Sequence, residues 1–109
     1  MPALNEWFSV HFDNEAVHIE ATPPGGTAWA DDIQWERIIR VCFKAGDLFD
    51  SDEIYLFTDE RPESYLIPTE ASGGLALWTE IIERKLFDAD LAIKAATATN
   101  EIFCSPPGE

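Results

Sequence analysis

At 109 residues the chain is long enough for one hydrophobic core and too short for two, so a single domain is expected. Hydrophobic residues at 46% and aromatics at 12% supply enough apolar surface to offset chain entropy, which excludes an intrinsically disordered segment. Seven Lys and Arg against 21 Asp and Glu leave a net charge of -14; this disfavours direct binding to nucleic acid or to an anionic membrane and fits either simple solubility or a basic protein partner.

Residues 1–6 lack the basic segment and apolar run of a secretory leader, and no apolar stretch approaches the roughly 20 residues of a membrane-spanning helix, so a cytoplasmic protein is expected. Residues 7–13 alternate, with Phe8, Val10 and Phe12 on one side, and Val17, Ile19 and Ala21 continue the period of two after the polar Asp13-Asn14-Glu15. This reads as a hairpin. Residues 22–27, with two Pro and two Gly, form its exit loop. From Asp31 the pattern predicts a turn and then a strand over about residues 37–44, rich in β-branched residues. An acidic loop follows over residues 45–53. Residues 54–58 have the apolar run of a central strand, and a polar turn at residues 59–63 precedes a strand over residues 64–67.

After Ser72-Gly73-Gly74, helical spacing places Leu75, Trp78, Ile82 and Leu86 on one stripe, widened by Leu77 and Ile81, with Arg84 and Lys85 in the last turn. Asp88 is positioned to cap a second, shorter helix through Leu91, Ile93 and Ala95. Residues 102–104 return as an edge strand before Pro106-Pro107-Gly108. The expected fold is therefore α+β: a curved antiparallel sheet of five or six strands packed against a C-terminal helix.

The stretch Ile33-Gln34-Trp35-Glu36-Arg37-Ile38, then Val41-Cys42-Phe43-Lys44, residues 54–57, and Ile67-Pro68-Thr69-Glu70-Ala71-Ser72-Gly73-Gly74 before a helix resembles a group of small uncharacterised bacterial proteins. That resemblance implies no activity, cofactor or site residue. The order of strands followed by a packing helix also resembles pleckstrin-homology-like domains, in which a bent antiparallel sheet is closed by a C-terminal helix. The basic phosphoinositide-binding loops of the lipid-binding members of that fold are absent here.

Three sets of residues invite a chemical reading. A two-residue loop at Asn14-Glu15 sets His11 opposite His18 on the solvent face, where the pair could grip a metal with Glu20 as a third ligand; the plainer expectation is two surface imidazoles that charge near pH 6 and repel. Cys42 and Cys104, far apart and without CxxC spacing, are expected as reduced, buried small hydrophobes. Asp47, Asp50, Asp52 and Glu53 fail the spacing of a calcium loop, but Leu48 and Phe49 among them offer an apolar anchor in an acidic rim, with the turn at Asp59 and Glu60 extending it.

Of the aromatics, Trp35 and Trp78 read as core, and Trp29 beside the Gly-rich loop as the one to find exposed. Nothing resembles a nucleophile elbow, a Cys-His pair or a phosphate-cradling loop. The sequence thus points to a non-enzymatic, cofactor-free acidic module that binds a basic protein, one form of which is an immunity or inhibitor protein masking a basic nuclease toxin.

Overall fold

In the computed structural model, which describes residues 4–46 and 52–105, a single helical turn, α1 (Leu4–Trp7), runs directly into a β-hairpin. The hairpin strands β1 (Phe8–Phe12) and β2 (Ala16–Ala21) pair in the expected register, His11 opposite His18 and Phe12 opposite Val17. Asp13 makes the turn: its Oδ1 accepts the backbone N–H groups of Glu15 and Ala16, both at 2.8 Å. An Asx turn of this kind needs no glycine.

The expected turn at Asp31 is instead a third strand, β3 (Trp29–Gln34), antiparallel to β2. Two adjacent Asp residues lower its intrinsic strand preference, yet pairing satisfies the open edge of β2, and context of this sort routinely outweighs propensity. A 3-10 turn at Trp35–Arg37 then ends the first sheet. Trp35 pins that corner: its backbone N–H donates to Glu15 O at 3.0 Å and its indole N–H to Asp13 O at 2.8 Å. The Arg84 guanidinium lies 4.2 Å from the centre of the Trp35 ring.

Beyond the corner, β4 (Ile38–Lys44), β5 (Glu53–Thr58) and β6 (Arg61–Pro68) form a meander, joined later by β7 (Ile102–Ser105). The second sheet has the order β6-β5-β4-β7 and the first the order β1-β2-β3. The expectation of one curved sheet of five or six strands is thereby corrected. There are two antiparallel sheets, because the buried Trp35 corner breaks the ladder between β3 and β4. β5 is central as expected, and Pro62, which has no N–H to donate, sits on the edge strand β6.

The helices pack as the spacing predicts, with one rotation of phase. In α2 (Gly74–Glu83) the buried residues are Gly74, Leu77 and Ile81, while Leu75 is 68% exposed. The reason lies at the helix start. Ser72 bonds to β1 on both sides, donating to Phe8 O at 2.9 Å and accepting from Val10 N–H at 2.8 Å. This draws Gly73 (φ +83°) so near that a Cβ there would lie 2.0 Å from Val10 O. Docked by its first turn, α2 turns Leu77 and Ile81 inward. In α3 (Ala89–Ala96) Asp88 caps as expected, accepting the Leu91 N–H at 3.0 Å; Ala95 is buried and Ile93 is 70% exposed. One apolar cluster joins β1, β2 and Ile33 with β4, β5, Ile67, α2, Phe87 and Ala95.

β7 lies antiparallel to β4 with Cys104 opposite Cys42, and the two sulfurs are bonded. The expectation of reduced thiols is corrected. A separation of 62 residues hides the pairing from any spacing argument, and only the closing of β7 on β4 brings the two side chains together.

Candidate functional site

The pairing of β1, β2 and β3 arranges side chains in rows across the sheet. On the outer face His11, His18 and Asp32 form one row. His18 Nδ1 is 2.6 Å from Asp32 Oδ1, and its Nε2 is 3.0 Å from Asp13 Oδ2. A carboxylate can only accept, so the two contacts suit a protonated ring whose nitrogens both donate. The bond to Asp32, then that to Asp13, raises the His18 pKa above its ordinary value. Asp13 in turn is lowered to about 2, chiefly by His18 and then by the N–H groups of Glu15 and Ala16.

The His11 ring stacks on His18 at 4.9 Å. His18 sits between two carboxylates, those of Asp32 and Asp13. When protonated it has no lone pair for a metal, and among the described residues no group of three or more His, Cys, Asp or Glu is arranged to hold one.

Of the acidic residues singled out from the sequence, only Asp52, Glu53, Asp59 and Glu60 lie among the described residues, and these four do not meet in one patch. Asp47, Leu48, Phe49 and Asp50 lie outside the described residues. Asp52 ties its own loop together, its carboxylate accepting Gly46 N–H at 2.7 Å and its carbonyl accepting Thr69 N–H at 3.0 Å. Glu53 accepts the Tyr55 hydroxyl at 2.9 Å and faces Lys44 Nζ at 3.9 Å. Asp59 faces Arg37 at 3.5 Å, and Glu60 occupies the tip of the β5–β6 turn. Asp52 and Glu53 therefore stand at one end of β5 and Asp59 and Glu60 at the other, about 20 Å apart at strand rise.

On the inner face a different arrangement appears. Trp29, Asp31 and Ile33 share the side of β3 that faces the core, beside Ala21, Ile19 and Val17 of β2. Ile33 is buried, but toward the open end the first sheet parts from β6 and leaves a cleft of about 310 Å³. That volume lies at the small end of ligand-binding pockets. Phe8 and Ile19 form its floor; Trp7 of α1, Trp29 of β3 and Tyr65 of β6 wall it; Asp31 supplies a carboxylate. Phe8 meets Trp7 and Trp29 edge to face at 5.9 and 5.8 Å, so the three rings brace one another.

Trp29 is 43% exposed, as its place after the Gly-rich loop predicts, and Leu66 at the rim is 42% exposed. Arg61 also lines the cleft, but its guanidinium lies 3.7 Å over the Tyr65 ring and donates to the carbonyls of Glu63 and Ser64 at 3.0 and 3.2 Å. It belongs to the wall. The carboxylate of half-buried Asp31 has no hydrogen bond or ion pair among the described residues.

This cleft is missing from the sequence reading except for Trp29. Its lining comes from α1, β1, β2, β3 and β6, so no local spacing reveals it. The one signal that could have is the alternation Trp29-Ala30-Asp31 on a strand, which puts a carboxylate on the same face as a tryptophan. Comparison with known proteins finds no matching family model, no matching curated protein and no matching solved structure.

Proposed function

We propose that the protein is a non-enzymatic binding module for a basic protein partner, and that the cleft between the first sheet and β6 receives a cationic side chain of that partner. The observation that carries this reading is Asp31, a half-buried carboxylate without a partner on an aromatic-walled inner face. Partial burial of an unpaired charge is costly, and an incoming cation offsets that cost. The rings around it attract cations through their π faces, and a net charge of -14 steers basic surfaces toward the molecule.

The reactive side chains favour binding over catalysis. Cys42 and Cys104 are joined, and both ring nitrogens of His18 are engaged by carboxylates. The disulfide also favours an oxidising compartment over the cytoplasm expected from residues 1–6. Likeness to the pleckstrin-homology-like fold adds nothing to this reading, since a fold does not carry a function by itself.

The test is a titration with a short Lys- and Arg-rich peptide and with an acidic peptide of equal length, followed by tryptophan emission at low and high salt. The basic peptide is expected to perturb the emission and to bind less tightly at high salt. Trp29→Leu and Asp31→Asn lose the response, whereas Asp90→Asn, which removes the same charge from α3, keeps it. Equal responses to both peptides, or an unchanged response in Asp31→Asn, would overturn the proposal.

A further inference from the structure

The chemistry of the cleft narrows the cation it accepts. A bare lysine ammonium carries three N–H donors and a tight hydration shell, and entering an aromatic-walled cleft strips that shell. Among the described residues Asp31 supplies the cleft's one carboxylate, and the rings of Trp7, Phe8, Trp29 and Tyr65 share the lining with apolar Leu4, Ile19, Leu66 and Pro68. A lysine head would thus leave donors poorly met. A quaternary ammonium has no donors to satisfy, is weakly hydrated, and gains from ring faces and from a nearby carboxylate alike. The Tyr65 ring already carries the Arg61 guanidinium at 3.7 Å, so the rings left for an incoming cation are those of Trp7 and Trp29.

The volume of about 310 Å³ admits a trimethylammonium head with part of its stem, and the exposed edge of Trp29 leaves the entrance open to solvent. We infer that the cleft is a recognition site for a trimethylammonium group, held by the Trp7 and Trp29 rings with Asp31 as its counter-ion. This rests on the reading of the cleft as a cation-accepting site and specifies the cation. Two sources present that group: a free choline-type molecule, or a trimethylated lysine on the partner protein.

The experiment measures binding of choline, of its neutral isostere 3,3-dimethyl-1-butanol and of benzoate by calorimetry and by backbone amide shifts. It then compares one Lys-containing basic peptide in its unmodified and trimethylated forms. Choline is expected to bind on the order of tenfold or more tightly than the neutral isostere, with shifts centred on Trp29, Asp31 and Tyr65. The trimethylated peptide is expected to exceed the unmodified one by a similar factor. Choline as tight as the trimethylated peptide assigns the site to the free molecule; a tighter peptide assigns it to the modified side chain.

Trp29→Leu abolishes the preference for the cation over its isostere. Asp31→Asn weakens choline and leaves the neutral isostere unchanged, a pattern that separates loss of counter-ion from loss of fold. Equal binding of choline and the isostere, or tighter benzoate, overturns the inference. If the unmodified basic peptide binds as well as the trimethylated one, the inference falls while the basic-partner reading stands; if neither peptide binds but choline does, the basic-partner reading falls and the inference stands for the free molecule; if none of the three binds, both fall.

Discussion

Reducing the Cys42–Cys104 bond should cost the protein about 4 kcal/mol of stability. The bond links residues 62 apart in sequence and encloses β5, β6, α2 and α3 in one covalent loop. In the chain-entropy account a loop of that size removes about 4 kcal/mol of freedom from the unfolded chain at room temperature. A chain of 109 residues has an unfolding entropy near 0.2 kcal/mol per degree, so the midpoint should fall by roughly 15–20 °C. The loss acts locally as well. β7 has four residues, pairs only with β4, and carries the exposed Ile102, so the disulfide is its strongest tether.

The assay is thermal and urea unfolding of the unaltered chain with and without reductant, followed by circular dichroism. Amide exchange of Ile102–Ser105 is read in parallel. Exchange in β7 should rise by more than exchange in β5, the central strand. Coincident midpoints, within about 0.5 kcal/mol, would refute the reasoning, because they would mean that the unfolded chain gains no freedom when the loop opens.

Two further outcomes follow from the geometry. Gly73→Ala forces a Cβ to within 2.0 Å of Val10 O at a φ of +83°, so it should destabilise by at least about 2 kcal/mol; a urea midpoint equal to that of the parent chain would contradict the close docking of α2 on β1. For pH, the His18 pKa is raised above 6.5, so its contribution to stability is complete below pH 6.5 and is lost as pH rises through the folded-state value. The Asp13 pKa is lowered from 3.8 to about 2, so its contribution is present above pH 3.8 and is lost as pH falls toward 2. The hairpin should therefore be most stable between those limits. Asp32→Asn should bring the His18 titration, read by NMR, back down; a His18 titration unmoved by that change would show that the ion pair is not formed in solution.

What could be read from the sequence was whatever depended on neighbours along the chain. The hairpin register followed from a period of two around a polar turn, and Asp88 could be recognised as a cap because capping is local. Of the readings that depended on distant pairing, the central β5 and the edge strand β7 held and others failed. β3 contains Asp31 and Asp32 and has little strand preference of its own; β2 makes it a strand by needing an edge partner. In α2 the stripe through Leu75 and the stripe through Leu77 are both apolar, and the docking of Gly73 on Val10, more than 60 residues earlier, chooses between them. The disulfide and the cleft belong to the same class, since each exists only once separate strands have come together.

The adjacent pair Asp31 and Asp32 shows how much hangs on that assembly. Successive residues of a strand face opposite sides, so one carboxylate is sent inward to the aromatic cleft and the other outward to His18. A slip of one residue between β2 and β3 would exchange them, placing Trp29 and Ile33 in water and Asp32 against the core. The ion pair of Asp32 with His18, together with the burial of Ile33, therefore fixes the register that puts Asp31 in the cleft. On this argument the outer His18 cluster serves the inner site by holding β3 in place. Asp32→Asn should then weaken cation binding in the cleft although Asp32 itself lies on the far face of the sheet, and cation binding equal to that of the parent chain would separate the two faces.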